Sequence, residues 1–379
     1  MENFTAYTPT RVHFGKDTLK GMGNEARQYG NKALIVYGKG SVLRNGSYDT
    51  AREQLSSAGI GIVEFDGIKP NPVVDDVNEA ARKGIEHKAD MIIAVGGGSV
   101  IDSAKIISVC IAEGCDGWDV MKGRIRHPRA VPLIAILTLA ATGTEMNGTA
   151  VLQNPDTREK IGYNHPNMYP RHSYLDPGYT LTVPENYTAY GIADLVAHCL
   201  ESFFGYGDAS LSDRFVEAIV KEAMVFGPRL LSDLQNYELR EKIMWSATNA
   251  LNGTTLWGRV SGDWGVHGIG HALSFLYDTP HGASLTIAYP AWLRHIKKQD
   301  PGRIAQLGNH LFGSGDADAT IDRLEDFFRE IKCPVRLGEI GIKKDRKEEI
   351  LEQLNLSNTS GMNYRLDETD RKAILEMMF

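Results

Sequence analysis

Up to about residue 180, short β-branched runs alternate with amphipathic stretches, and then the alternation stops. No other feature restricts the possible folds of this chain as much. A strand is expected near 32–37, a helix to 58, a strand at 60–65, a helix from 74, and a strand at Met91–Val95 that runs into a glycine loop and another amphipathic helix. That order builds a mostly parallel sheet covered by helices. Beyond the turn DPGYTLTVP the apolar residues recur with a helical period and strand signals are few, as in YTAYGIADLVAHCLE, SDRFVEAIVKEAMVFGPRLL, YELREKIMWSATNALNG and DATIDRLEDFFREI. A chain of 379 residues can fill two cores. The expected division is an α/β domain over 1–182 and an all-α domain over 183–379.

Composition narrows the role. A content of 42% hydrophobic and 23% charged residues is that of an ordinary soluble globular protein. The formal net charge of −7, without a basic tract, argues against a nucleic-acid or anionic-membrane partner. No apolar stretch is long enough to span a bilayer, and MENFTAYTPTRVHFG lacks the charged and apolar regions of a secretion signal, so a cytoplasmic location is expected. The cysteines Cys110, Cys115, Cys199 and Cys333 are scattered through mostly apolar helical segments, the pattern of reduced buried thiols.

In ADMIIAVGGGSVIDSAKIISVCIAEG a buried strand meets a helix through Gly96, Gly97, Gly98 and Ser99. Successive glycines let the backbone approach a pyrophosphate, while the free N–H groups and positive dipole end of the helix attract its charge. Ser99 can cap or donate. The turn is neither GxGxxG nor a Walker loop, so a tight βα turn that binds nothing also fits it. With a bound nucleotide, the first domain becomes a Rossmann-like dinucleotide-binding domain. The earlier strand KALIVYG ends in Gly38, Lys39, Gly40 and Ser41. Dinucleotide folds commonly place an acid at such a strand end for the ribose 2′-hydroxyl. None is present here, and Lys39 and Ser41 are available to a 2′-phosphate, which favours NADP(H) over NAD(H).

The second half carries a different chemistry. Asp194 and His198 stand four residues apart in a helical pattern, so one helix face presents both. His267 and His271 repeat that spacing, and His281 follows in a Pro/Gly turn that can fold back toward them. A lone HxxxH is more often a core or cap feature than a metal site. Two such pairs and a third histidine inside one glycine-spaced apolar run are harder to explain that way, because unsatisfied imidazoles are costly there. Asp194, His198, His267 and His281 offer one carboxylate and three imidazoles, a set suited to divalent iron, zinc, cobalt, nickel or manganese that leaves room for a substrate oxygen.

Taken together, these segments resemble the iron-containing (group III) alcohol dehydrogenases, most closely their butanol dehydrogenase or broad aldehyde reductase branch. The resemblance covers nearly the whole chain. It includes FGKDTL near the start, KPNP at 69–72, GGGSVIDSAK at 96–105, TLAATGTEMN at 138–147, YLDPGYTLTVP at 174–184 and both histidine segments. It implies the fold shared with dehydroquinate synthase, an NAD(P) cofactor and a divalent metal, with iron expected. It further implies that Asp194, His198, His267 and His281 hold the metal, and that His271 lies near nicotinamide and substrate without ligating. Gly97, Gly98 and Ser99 would cradle the pyrophosphate, Asp102 would stand beside the nicotinamide end, and Thr138 and Thr142 would line the cleft. Lys160 matches a lysine near the cofactor ribose and Asn71 a residue on the adenosine side. The chain departs from the family where Ala141 replaces a glycine and Thr144 a serine, and GIADLVAH replaces the commoner TGxDALxHAxE while keeping Glu201.

The expected activity is interconversion of small primary alcohols and aldehydes such as butanol and butanal, with His271 either passing a proton or shaping the site. A glycerol or diol dehydrogenase, a dehydroquinate synthase-like lyase and a non-catalytic metal or nucleotide sensor are the alternatives. Residues 261–289 contain no lysine or arginine for a polyanionic lyase substrate and offer Trp264, Phe275, Leu276 and Tyr277 instead. The alternating Phe4, Tyr7, Val12 and Phe14 are expected to form an edge strand that pairs across a homodimer, as the resemblance implies.

Overall fold

A computed structural model describes residues 1–379 and divides them into two units that are not contiguous in sequence. The α/β unit comprises Tyr7–Val183 with Gln235–Thr248, and the helical unit comprises Pro184–Leu234 and Asn249–Phe379 with Met1–Ala6.

The α/β unit runs β1 (Arg11–Phe14), α1 (Met22–Arg27), β2 (Lys32–Gly38), α2 (Ser41–Arg44), α3 (Ser47–Ser57), β3 (Gly61–Ile68), α4 (Val74–Glu86), β4 (Met91–Gly96) and α5 (Gly98–Glu113). It continues through α6 (Gly117–Met121), β5 (Leu133–Leu137), β6 (Thr149–Asn154), β7 (Glu159–Asn164) and β8 (His172–Leu175). Six strands form one parallel sheet in the order β1-β8-β5-β4-β2-β3. MIIAVG and LIAIL are buried along their whole length, as strands covered by helices on both faces must be. Because side chains alternate across a strand, each central strand feeds two cores. Leu34, Val36, Ile92, Ala94, Leu133 and Ala135 pack on one side with α4 and α5. Ala33, Ile35, Met91, Ile93, Ile134 and Ile136 pack on the other with α1 and α3.

Several elements differ from the sequence expectation or were absent from it, β5 and β8 among the latter. The antiparallel hairpin β6–β7, in register from Thr149↔Asn164 to Asn154↔Glu159, carries only a short one-sided alternation, too brief to mark a strand pair in the sequence. The edge strand is shorter than expected: only Arg11–Phe14 extends, and it lies at the outer edge of the sheet beside β8. Phe4 instead stacks on Trp257 at 6.4 Å and Tyr7 meets Tyr169 edge-on at 5.8 Å.

The remaining helices are α7 (Glu185–Phe203), α8 (Ser210–Ser232), α9 (Tyr237–Ala250), α10 (Gly265–Tyr277), α11 (His281–Ile296), α12 (Pro301–Phe312), α13 (Ala317–Glu330), α14 (Lys347–Leu356) and α15 (Glu368–Met377). Most of α9 packs with the α/β unit. Met244 enters its core, the Trp245 ring meets Phe14 edge-on, and the Thr248 hydroxyl donates to Glu145 at 2.6 Å. In the helical unit, α7 is apolar and buried nearly all round from Thr188 to Phe203, the profile of a central helix. No helix is long and apolar enough to cross a membrane.

Candidate active site

Asp194 and His198 lie on α7, His267 and His271 on α10, and His281 opens α11. His281 is therefore the first residue of a helix, not part of the turn itself, which is made by Asp278 in the left-handed region (φ 51°), Thr279 and Pro280. This hairpin brings α10 and α11 together. The N-terminus of α11 approaches α7 so closely that a Cβ on Gly282 would lie 2.2 Å from the Tyr190 carbonyl oxygen. A side chain there would push His281 away from Asp194.

Ligand atoms of Asp194, His267 and His281 all lie within 4.8 Å of one another. His281 Nε2 is 3.6 Å and His267 Nε2 4.0 Å from Asp194 Oδ1. Two donors sharing an ion at about 2.1 Å each stand no more than about 4.2 Å apart, so both distances suit one bound divalent cation. His198 stands beside the trio. Its Nδ1 is 3.7 Å from Asp194 Oδ1 and its ring stacks on His267 with centroids 4.8 Å apart. Burial, with His267 adding, holds the His198 imidazole well below its usual pKa, which keeps it neutral as ligation requires. That buried Nδ1 makes no hydrogen bond. The His271 ring centroid is 6.4 Å from that of His267 and 5.6 Å from that of His281.

Behind the trio stands a group whose part the sequence did not disclose. Glu201, one turn beyond His198 on α7, is 0% exposed and its Oε1 accepts from both the backbone N–H and Nδ1 of His267 at 2.9 Å. Its other oxygen accepts from the Trp264 N–H. Holding the proton on Nδ1 leaves the Nε2 lone pair for a metal. Burial pushes the Glu201 carboxyl up, while the N–H groups of His267 and Trp264, which between them meet both of its oxygens, pull it back toward the ionised form. Asp263 repeats the device one layer out, accepting from the N–H groups of Gly265, Asn363 and Tyr364 at 3.1, 2.9 and 2.7 Å and so fastening the 361–364 segment to the start of α10. Trp264 lies between these carboxylates in the left-handed region (φ 66°), its ring edge-on to His267 at 5.4 Å. The sequence signals for this arrangement are Glu201, one turn beyond His198 in the same helical pattern, and an aspartate two residues ahead of α10. The hydroxyl of Tyr277 donates to Glu349 at 2.7 Å.

In the α/β unit, the residues singled out for the nucleotide gather at the carboxyl ends of adjacent strands. Gly38 ends β2 and Lys39 and Ser41 follow it, Asn71 follows β3, Gly97, Gly98 and Ser99 follow β4, and Thr138 and Thr142 follow β5. The Thr138 N–H donates to Gly96 O at 3.0 Å, joining two of these ends. At Gly98 a Cβ would meet the Thr142 side chain at 2.7 Å, so only glycine lets that wall stand against the first turn of α5. The Ser99 hydroxyl donates to the Pro70 carbonyl, so what Ser99 offers an anion is its backbone N–H. Lys160 donates to Asn71 Oδ1 at 2.9 Å, bringing β7 to the end of β3. Asp102, a turn into α5, accepts from the Thr144 hydroxyl at 2.5 Å and the Val151 N–H at 2.9 Å. Each oxygen keeps a second lone pair.

A glycine turn on the carboxyl edge of a parallel sheet and an acid–imidazole cluster in a helical unit are the equipment of a dinucleotide-linked, metal-dependent oxidoreductase. The family description "Iron-containing alcohol dehydrogenase" matches residues 9–177, and "Fe-containing alcohol dehydrogenase family, C-terminal" matches 188–378. The chain is 38% identical over 385 residues, 99% of each chain, to a protein of Bacillus subtilis (strain 168) named as a probable NADH-dependent butanol dehydrogenase 1. It is 34% identical over 352 residues, 90% of each chain, to the NADPH-dependent aldehyde reductase YqhD of Escherichia coli (strain K12). Among solved structures, the NADH-dependent butanol dehydrogenase A of Thermotoga maritima superposes with a TM-score of 0.96 at 35% identity, covering 100% of this chain and 99% of that one. The chain belongs to the iron-containing alcohol dehydrogenase family.

Proposed function

We propose that this protein reduces short, weakly polar aldehydes such as butanal and oxidises the matching primary alcohols, with NADP(H) as dinucleotide and Fe2+ as metal. The observation that carries the reading is the convergence of Asp194, His267 and His281 with Glu201 behind His267. When bound, the divalent ion supplies Lewis acidity toward a carbonyl oxygen and the nicotinamide supplies the hydride. In this reading Asp194, His198, His267 and His281 hold the ion, and Glu201 orients His267 and keeps its proton on Nδ1. His271, one turn beyond His267, exchanges the alcohol proton with solvent. The Trp264 ring shields the edge of His267 and excludes water from that side.

On the α/β unit, the N–H groups of Gly97, Gly98 and Ser99 receive the pyrophosphate, and Thr138 and Thr142 line its cleft. Asn71 and Lys160 bind on the adenosine and ribose side, and Asp102 serves the nicotinamide end. Relatives are named for either dinucleotide, so the choice of NADP(H) rests on Lys39 and Ser41 beside an acid-free Gly38. The absence of lysine and arginine from 261–289 supports an uncharged substrate.

The test is dinucleotide oxidation by anaerobically metal-loaded protein with straight-chain aldehydes, alongside diol oxidation. NADPH consumption with butanal is expected in the wild type, together with loss of both turnover and metal in His267→Ala while dinucleotide binding persists. A His267→Ala protein that turns over without metal, or a wild type that prefers diols or NADH, would refute the corresponding part.

A further inference from the structure

Lys105 is 0% exposed on α5, three residues after Asp102 and seven after Gly98. Burying an ammonium is costly unless it is fully bonded, and this one is. Its Nζ donates to Thr144 Oγ1 at 2.6 Å, Asn147 Oδ1 at 3.0 Å and Thr149 O at 2.6 Å, using all three N–H bonds on one short segment. Directly before this segment stands Thr142, whose side chain forms the wall against Gly98. Because Thr144 Oγ1 accepts from Lys105, its own proton is directed to Asp102 Oδ1. The chain of bonds therefore has one polarity, from ammonium to hydroxyl to carboxylate. Asn147 strengthens it by donating to Gly143 O at 3.1 Å while accepting from the Thr149 N–H at 2.9 Å. The counter-charges are Asp102 and the 1% exposed Glu145, which oppose the effect of burial on Lys105, whose pKa is lowered to about 8. Three acceptors around Nζ are what the ammonium form requires.

We propose that Lys105 is a positioning residue for dinucleotide binding, clamping the Gly143–Thr149 segment onto α5 so that Thr142, Thr144 and Asp102 hold a fixed arrangement beside the glycine turn. Mere neutralisation of buried carboxylates would not require three bonds to uncharged groups of a single loop. The proposal rests on the reading that the nucleotide lies on that turn.

Three variants test it, with dinucleotide Kd from titration of NADPH fluorescence and Tm from thermal unfolding, and the wild type measured beside them. Lys105→Met is expected to raise Kd about tenfold or more and lower Tm, since it leaves buried acceptors unpaired. Adding Glu145→Gln removes the surplus negative charge and is expected to restore much of the Tm but not the affinity. Thr144→Val leaves every charge in place, cuts the link from Lys105 to Asp102, and is expected to weaken binding by a similar factor even if Lys105→Met fails to fold. The proposal is overturned if Thr144→Val binds like the wild type, or if the double variant recovers affinity along with Tm. A wild type that binds neither dinucleotide would instead remove the functional reading on which the proposal stands.

Discussion

Glu201→Gln separates the role of the metal centre's geometry from that of its ligands. The substitution keeps the size of a side chain that is 0% exposed and changes one oxygen to an amide NH2. The amide oxygen can still accept the two bonds from His267, both of which reach Oε1 at 2.9 Å. The NH2 then faces the Trp264 N–H, donor against donor, where the carboxylate had an acceptor. One buried N–H left without a partner costs about 1–3 kcal/mol. Replacing a carboxylate by a neutral amide also makes His267 a poorer electron donor, and changes of this kind behind a metal-bound histidine typically weaken metal binding about 10- to 100-fold. Titration of metal-free protein with Zn2+ against a chromophoric chelator reads this directly, and the expected rise in Kd falls in that range. Dinucleotide affinity should not move. Zn2+ affinity equal to that of the wild type would show that Glu201 merely fills space, and the orientation argument would be wrong.

Lys39→Glu places a negative charge in the loop after β2 and is expected to raise KM for NADPH about tenfold with little change for NADH, because only NADPH carries the 2′-phosphate; an unchanged ratio would put the adenosine end elsewhere. His13 and His172 share a hydrogen bond of 2.9 Å, with Tyr29, Tyr174, Glu25 and Arg11 around them, and burial lowers the pKa of both. Both are thus neutral when folded, the unfolded chain takes up protons first, and stability should fall as pH drops below about 6.5, by up to about 1.4 kcal/mol per pH unit for each histidine. His172→Gln should flatten the decline of Tm from pH 7.5 to pH 5.5, and a slope identical to the wild type would place the acid sensitivity elsewhere.

What the sequence determined by itself was everything that depends on residues near one another along the chain. Four-residue spacing places Asp194 and His198 on one face of α7, and His267 and His271 on one face of α10, whatever surrounds them. The run MIIAV followed by three glycines makes a buried strand and a tight entry to α5 for local steric reasons. Alternating β and α patterns call for a parallel sheet, and β2, β3 and β4 were legible in them, whereas the central strands β5 and β8 were not. The tertiary structure decided what comes from distant parts of the chain. Helix period says nothing about α9 packing on the α/β unit, because its apolar stripe would suit any core. It does not place His281 as the first residue of a helix, nor show that Glu201 reaches the far nitrogen of His267, 66 residues away. Lys105 looks like a solvated helix lysine until the segment around Thr144 folds over it. Periodicity fixes which way a side chain leaves its own element, whereas the partner it meets depends on how that element packs.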